Sequence, residues 1–325
     1  MKIYANSALL GTLSDMKRSG RLPHAMLLFG ESGTGRTVIS DHISKLILCE
    51  KPSDSGEPCG ECAHCKKLAA GVHPDVRYVE HSGKRLGFSM ETMRALIYDS
   101  HIIPNDGGAK VYILDNCDSF GVQQQNTLLK LIEEPPDFTY FILTATSADN
   151  LLPTILSRVI TFGISPCSDD ECRQALIERG VSAEDAEEAV MTFPGNIGKC
   201  LRFLSDEGLK RLVYSARNIT DSISASSEYA IQRQFFAAGT DRDNIKQLLL
   251  LLDLIVRDAT LLRIAAESPQ QYRLIGCYRQ GSAALAKRIS PLQAAEIHRN
   301  ISNALEMLEA NGSISAILPA LRLCV

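Results

Sequence analysis

The stretch AMLLFGESGTGRT, residues 25–37, joins a short apolar run to a glycine-rich loop. The apolar run predicts a buried strand, and Ile39, Ile43 and Ile47 recur at helical spacing after the loop. Glycines allow backbone N–H groups to turn toward a phosphate, and the following helix N-terminus adds partial positive charge. The stretch therefore predicts a phosphate-binding loop, with a ligand-free glycine-rich turn as the alternative.

The pattern departs from a complete phosphate loop and its partner strand in two ways. Arg36 stands where the full pattern has a lysine, and a planar guanidinium is not equivalent to a compact ammonium. Asp115 ends a second apolar run and would hold magnesium, but Asn116 follows it, and an amide cannot take a proton from water. Asp118 is a weaker substitute base. The residues expected to bind nucleotide are Gly30, Gly33, Gly35, Arg36, Thr37 and Asp115. Whether ATP, ADP or magnesium binds there stays open.

Alternating β-rich and helical patterns in the first half predict an α/β fold, a parallel sheet flanked by helices. Further candidate strands are 76–79, 111–114, 141–143 and 159–162. After about residue 165 the patterns are helical, with Asp169 or Asp170 as the expected first N-cap, and two long helices at 245–266 and 291–309, separated in part by Gly281-Ser282. The expected domains are an α/β domain at 1–165, a small helical domain at 166–208 and a helical domain at 209–325.

Composition places the chain in the ordinary globular class. It has 325 residues, 45% hydrophobic and 22% charged, and a net charge of −4 that would weakly repel DNA. Neither a bilayer-spanning run nor a secretory pattern at the N-terminus is recognised, so the expected compartment is the cytoplasm. The ten cysteines therefore count first as thiols or metal ligands.

Cys59, Cys62 and Cys65 are spaced three residues apart, and Cys49 lies shortly upstream. Four thiolates can satisfy a zinc ion without an open position, so the segment 49–65 predicts a zinc-binding insertion with a structural role. The alternatives are unpaired thiols, His64 or His73 in place of Cys49, and a zinc module that binds DNA. The other cysteines are expected to be small buried hydrophobes: 117, 167, 172, 200, 277 and 324.

Several motifs together resemble the bacterial DNA polymerase III clamp loader subunits. They are RLPHA (21–25), the cysteine cluster, GAKV (108–111), NTLLKLIEEPP (126–136) and TILSR (154–158). The resemblance implies an AAA+ module, a helical lid and a C-terminal collar that holds five subunits in a ring. It also implies the partners: gamma/tau and delta subunits, and, through the assembled complex, the sliding clamp and primer–template DNA.

The departures from the family favour the delta-prime type of subunit, which does not hydrolyse ATP, over the gamma/tau type, which does. Arg36 and Asn116 replace the loop lysine and the expected glutamate, and Gly198 stands where hydrolytic relatives have a lid arginine. The resemblance implies that Arg158 is an arginine finger, a catalytic group given in trans to a neighbouring subunit. The alternative for Arg158 is a surface arginine paired with a local carboxylate. Lys130 is a weaker candidate for contact with DNA.

Overall fold

The computed structural model describes residues 2–79, 89–237, 239, 241–267 and 272–323. The chain divides into two compact units, Met1–Cys167 and Ser168–Val325. None of the helices within these described ranges is long and apolar enough to cross a membrane. The prediction of a further domain boundary near residue 208 stays a prediction.

The first unit is a parallel sheet with helices on both faces, which confirms the predicted α/β fold. Its strands are β1 (Ala25–Phe29), β2 (Val76–Val79), β3 (Lys110–Leu114), β4 (Thr139–Ala145) and β5 (Ile160–Gly163). Its helices are α1 (Ser7–Arg18), α2 (Arg36–Leu48), α3 (Ala63–Ala69), α4 (Met90–Ser100), α5 (Val122–Glu133) and α6 (Pro153–Leu156). The strand order is β2-β3-β4-β1-β5, and every pairing is parallel.

The strand order places the candidate nucleotide site. The loop after β1 and the residues after β3 both lie at the carboxyl edge of the sheet, one on each side of β4. Ligands of parallel α/β sheets bind outside this edge. The sheet therefore brings Arg36, Asp115 and Asn116 to one place, although Arg36 and Asn116 lie 80 positions apart in the sequence.

Two hydrophobic clusters hold helices against the two faces of the sheet. Ile39, Ile43 and Ile47 of α2 pack on one face with Met26 and Leu28, so the predicted apolar side of α2 is confirmed. On the other face, α5 packs through Leu128, Leu131 and Ile132 against a cluster that includes Leu27. Alternate residues of β1 thus enter opposite clusters, as the two-residue period of a strand requires.

The second unit is helical throughout its described residues. Its helices are α7 (Asp169–Ile177), α8 (Ala183–Thr192), α9 (Ile197–Ser205), α10 (Glu207–Ser224), α11 (Glu228–Ala237), α12 (Arg242–Glu267), α13 (Arg279–Ala286), α14 (Pro291–Glu309) and α15 (Ile314–Ala320). The predicted long helices correspond to α12 and α14. Their amphipathic patterns were sufficient to find them because each is much longer than the sequence window that such a pattern needs.

Two local predictions in this unit were wrong. The N-cap of α7 is Ser168, whose Oγ accepts from the N–H of Glu171 at 3.2 Å, and not Asp169 or Asp170. Serine followed three residues later by glutamate forms a capping box, which satisfies donors in both directions. Gly281-Ser282 does not separate helices but lies within α13. Gly281 packs so closely on the Tyr278 ring that a Cβ would meet Cδ1 at 2.1 Å, so its role is close packing.

Candidate functional site

The loop after β1 has the backbone geometry of an anion-binding turn. Gly33 and Gly35 have φ angles of 90° and 105°, in the left-handed region that glycine adopts most readily. The N–H and the hydroxyl of Thr34 both donate to the carbonyl of Glu31, at 3.2 and 2.7 Å, and close the turn. Gly35 is the N-cap of α2 and supplies no side-chain cap, so the positive end of the helix faces the loop.

Arg36 is the first residue of α2, and its side chain is buried, with 6% of the residue exposed. Its Nη2 donates to Oδ1 of Asn116 at 2.8 Å. Its Nη1 is also buried, and no acceptor within the described ranges of the chain bonds to it. A buried donor without an acceptor costs about 1–3 kcal/mol, and more when the group is charged. The loop therefore carries an unused, positively charged donor.

The residues after β3 form a network that continues from Arg36. Nδ2 of Asn116 donates to Oδ2 of Asp115 at 3.0 Å, and the hydroxyl of Thr144 donates to Oδ1 of the same carboxylate. Thr144 in turn accepts from the N–H of Asn116 at 3.0 Å. Both oxygens of Asp115 are thus already bonded to protein groups. A magnesium ion at this carboxylate would have to share or displace these hydrogen bonds.

Asp118 is not placed as a replacement base. It lies in a single turn, Cys117–Ser119, beyond the end of β3, as expected from the sequence. Its Oδ2 accepts from the N–H of Thr146 at 3.0 Å and also from the Thr146 hydroxyl. The carboxylate is therefore occupied in fixing the loop after β4.

Arg158 follows α6 and is exposed, with 41% of its side chain accessible. Its Nε lies 2.6 Å from Oε1 of Glu133, which is 43% accessible. Its Nη1 donates to the carbonyl of Thr154 and to Oγ of Ser157, both at 3.1 Å. In this conformation Arg158 is paired with a local carboxylate, as the alternative interpretation of the sequence expects. Because exposed pairs contribute at most about 1 kcal/mol, a phosphate could replace Glu133.

The four cysteines named from the sequence converge in the structure. Their sulfur atoms all lie within 4.8 Å of one another, and the sulfurs of Cys49 and Cys59 are 3.6 Å apart. Tetrahedral zinc with Zn–S bonds of about 2.3 Å requires sulfurs about 3.8 Å apart. Backbone N–H groups of Cys62 and Cys65 donate to the sulfurs of Cys59 and Cys62 at 3.3 and 3.4 Å. The donor set fits a closed zinc site.

Hydrogen bonds and burial divide the four thiols into two pairs. Burial disfavours the Cys62 thiolate, but backbone N–H groups of Cys65 and Glu50 outweigh it and lower the Cys62 pKa to about 6. The N–H groups of Glu61 and Cys62 likewise lower the pKa of Cys59. Burial raises the pKa values of Cys49 and Cys65. Metal binding would therefore release protons mainly from the second pair.

His64 and His73 are both buried and bond to each other rather than to the cysteines. Nδ1 of His73 accepts from the N–H of Asp75 at 3.1 Å, which assigns the ring proton to Nε2. That proton is given to Nδ1 of His64, 2.8 Å away, and Nε2 of His64 then donates to Glu50 at 3.1 Å. These assignments leave both rings satisfied. His64, His73 and Asp106 also lie close together. They are a poor second metal site, because the nitrogens of the two histidines that face each other are already joined by a hydrogen bond.

The remaining residues singled out in the sequence are Lys130, Gly198 and the cysteines outside the cluster. Lys130 is exposed on α5, and Gly198 lies in the first turn of α9. The cysteines expected to be buried outside the cluster are buried at positions 117, 167, 172, 200 and 277, whereas Cys324 lies outside the described residues. Sequence analysis missed Thr144 and Glu133. Thr144 was detectable as a polar residue within the apolar run of β4, but nothing distinguished Glu133 from Glu134.

The sequence of the first unit is similar to those of DNA polymerase III subunits. Residues 5–168, half of the chain, match the family model described as DNA polymerase III, delta subunit. The DNA polymerase III subunit delta' of Pseudomonas aeruginosa is 36% identical over 137 residues, which cover 42% of this chain and 42% of the relative. The subunit gamma of Buchnera aphidicola subsp. Baizongia pistaciae is 32% identical over 169 residues, covering 52% and 45%. These two matches span less than half of each relative.

A third relative extends the similarity into the second unit. The DNA polymerase III subunit delta' of Bacillus subtilis is 26% identical over 256 residues, which cover 78% of this chain and 76% of the relative. Of these three relatives, the delta' subunit of Pseudomonas aeruginosa has the highest identity to this chain, and the delta' subunit of Bacillus subtilis is matched over the greatest length. The chain belongs to the family described as DNA polymerase III, delta subunit, and it resembles the delta' subunits of DNA polymerase III.

Proposed function

We propose that this chain is a non-hydrolysing subunit of the DNA polymerase III clamp loader that gives Arg158 to the nucleotide site of a neighbouring ATPase subunit. Its partners are the gamma/tau and delta subunits and, through the complex, the sliding clamp and primer–template DNA, in the cytoplasm. The observation that carries the proposal is the contrast between an exposed, weakly held Arg158 and a chemically altered nucleotide site.

The altered site accounts for the absence of hydrolysis by the chain itself. Hydrolysis needs a base close to the attacking water, but Asn116 is an amide whose groups bond to Arg36 and Asp115. Asp118, the remaining carboxylate after β3, is bonded to Thr146. Asn116 cannot take a proton, and Oδ2 of Asp118 is directed at the backbone N–H and hydroxyl of Thr146.

Arg158 can act on another subunit because its present contacts are easily exchanged. A phosphate would replace Glu133 with a more highly charged acceptor, and arginine binds phosphate through two parallel hydrogen bonds. A guanidinium placed there stabilises the charge that develops during phosphoryl transfer. The arginine would therefore contribute to catalysis at the nucleotide site of the neighbouring subunit.

The cysteine cluster serves a structural role in this proposal. Zinc would be held by Cys49, Cys59, Cys62 and Cys65, with no ligand position left open. We expect one zinc ion per purified chain by elemental analysis. Cys65→Ser should abolish zinc retention, whereas Cys277→Ser, a buried cysteine in the second unit, should retain it. Full zinc content in the Cys65→Ser chain would contradict the assigned ligands.

Reconstitution tests the proposed function. Gamma/tau, delta and the sliding clamp from the same organism should form a complex that loads the clamp on primed DNA only when this chain is present. The matched comparison adds the Arg158→Ala chain, which should assemble but lower the ATP hydrolysis of the complex. Equal clamp loading with and without the chain would contradict the proposal.

The second candidate function is a gamma/tau-like ATPase. It is favoured by the intact turn geometry of the loop and by the unused Nη1 donor of Arg36. Equilibrium dialysis with ATP and magnesium separates binding from turnover, with Thr37→Ala as the control because Thr37 is exposed in the first turn of α2. Undetectable ATP binding would remove this candidate.

A further inference from the structure

We propose that metal binding at the cysteine cluster fastens α1 to the rest of the first unit, through a turn at residues 53–57 that docks on α1. This inference rests on the structural role proposed for the cluster and is independent of the role of Arg158. It is carried by the contacts of Glu57, by the close approach of Gly56 to α1, and by the position of the turn between two of the cysteines.

Residues 53–57, which we name the docking turn, are held together by local hydrogen bonds. The N–H of Ser53 donates to the carbonyl of Glu57 at 2.9 Å, and the N–H of Gly56 donates to the carbonyl of Ser53 at 2.8 Å. The hydroxyl of Ser53 accepts from the N–H of Glu57 at 3.1 Å. Because these bonds join the turn to itself, its place on the first unit depends on its other contacts.

Glu57 joins the docking turn to α1. Its Oε1 accepts from the hydroxyl of Ser14, a buried residue of α1, at 2.6 Å. Its Oε2 lies 3.3 Å from Nε2 of His42 on α2. Lys17, one turn after Ser14, donates to the carbonyl of Ile47 in the last turn of α2 at 3.1 Å. One side of α1 therefore meets both the docking turn and the end of α2.

Gly56 is a point of very close approach between the docking turn and α1. The residue is buried and has a φ angle of 84°, in the left-handed region. A Cβ at this position would meet the carbonyl oxygen of Ser14 at 2.7 Å, which is shorter than a side chain tolerates. The turn is therefore shaped to fit this part of α1.

The position of the docking turn couples it to the metal site. Cys49 precedes the turn and Cys59 follows it, and their sulfurs are 3.6 Å apart. A metal held by both thiolates would close the loop between them and remove conformational freedom that docking must otherwise overcome. By linkage, docking strengthens metal binding by the same factor as metal binding strengthens docking. Glu57 is therefore a positioning residue for the metal site.

The zinc affinity of the full, reduced chain tests the inference, by competition with a chelating indicator. Gly56→Ala should raise the Kd for zinc by about tenfold or more, a size usual for coupled sites, because the added Cβ opposes only the docked form. The control is Gly71→Ala. Gly71 has a similar φ of 71°, but a Cβ there would meet no atom of the described residues within 4 Å, so the Kd should change by less than about threefold.

Two outcomes separate this inference from the proposed metal site. Unchanged zinc affinity in the Gly56→Ala chain would overturn the coupling and leave the zinc site intact. An unsubstituted chain that binds no zinc would overturn both the inference and the structural role of the cluster. Neither outcome bears on Arg158.

Two glutamates test the docking contact itself, and they also serve if Gly56→Ala fails to fold. Glu57→Ala removes the acceptor of Ser14 and should raise the Kd for zinc by about threefold or more, the worth of one hydrogen bond. Glu61→Ala is the control. Glu61 is exposed, and among the described residues only its backbone makes a hydrogen bond. Both variants remove one negative charge near the thiolates, so equal zinc affinity in the two chains would overturn the role of Glu57.

Hydrogen exchange gives a readout that does not depend on metal affinity. Removal of zinc from the full chain with a chelator should speed exchange in peptides that cover the docking turn by about tenfold or more, because the turn loses its hold on α1. Exchange in β3, a central strand of the sheet, should stay the same. Equal exchange of the docking turn with and without zinc would overturn the inference.

Discussion

Two arginines in the first unit have opposite surroundings. Arg36 is buried, and one of its nitrogens enters a network that reaches Asp115 and Thr144. Arg158 is exposed and is held by one carboxylate and two local oxygen atoms. A buried guanidinium that loses its partner leaves an unpaired charge in the interior, which is costly, whereas an exposed guanidinium exchanges partners readily. The comparison indicates that Arg36 serves the chain's own site and that Arg158 is available to another molecule.

The largest expected effect concerns Arg158. Arg158→Ala in the reconstituted complex should lower turnover at the nucleotide site that it serves by about 10³-fold or more, because fingers supplied in trans contribute at least this much. The measurement is steady-state ATPase activity, with assembly checked by size-exclusion chromatography.

The control for this prediction is Arg18→Ala. Arg18 is also exposed and pairs with a nearby carboxylate, Asp15, at 2.7 Å. Its removal should leave turnover unchanged. If both alanine variants reduce turnover equally, exposure alone does not distinguish Arg158, and the comparison of the two arginines fails.

An intermediate effect is expected at the buried arginine. Asn116→Ala removes the acceptor of Nη2 and leaves both terminal nitrogens of Arg36 buried without partners in the first unit. The free energy of unfolding should fall by about 2 kcal/mol, the cost of a lost bond to a charged group. Urea unfolding of the full chain measures this change.

The matched variant is Asn126→Ala, which alters an exposed asparagine of α5. It should change the free energy of unfolding by less than about 0.5 kcal/mol. Equal stability of the two variants would show that the Arg36 network contributes nothing to the fold.

The smallest expected effect concerns the partner of Arg158. Glu133→Gln removes the charge of an exposed pair and should change the free energy of unfolding by less than about 1 kcal/mol. Glu134→Gln, at the neighbouring exposed position, is the control in the same urea experiment. A loss of several kcal/mol on Glu133→Gln alone would mean that Arg158 is fixed in the chain and not available to a partner.

The features that could be predicted from the sequence are those that depend on residues close to one another in the chain. The five strands follow from short β-rich runs and the buried side of α2 from helical spacing, and α12 and α14 follow from long amphipathic runs. The candidate metal ligands are also close in sequence, apart from Cys49, because cysteine spacing restricts how the thiols can converge. The predicted α7 cap, Asp169 or Asp170, is one or two residues from the observed cap because Ser168, Asp169 and Asp170 are all good cap types.

The contacts within the candidate site depended on information that a sequence does not display. The bonds that join Arg36, Asn116 and Thr144 require the strand order β3-β4-β1 and particular side-chain rotamers. The pairing of Arg158 with Glu133 likewise depends on how the ends of α5 and α6 pack. Residue types indicated which chemistry was altered, but not which groups were already bonded to one another.

The most direct test of the central claim is ATP hydrolysis by the purified chain alone, measured with magnesium and primed DNA. The account predicts no turnover above the buffer background, because Asn116 is an amide that cannot act as a base and Asp118 is directed at Thr146. DNA-stimulated turnover that disappears on Thr37→Ala would contradict it.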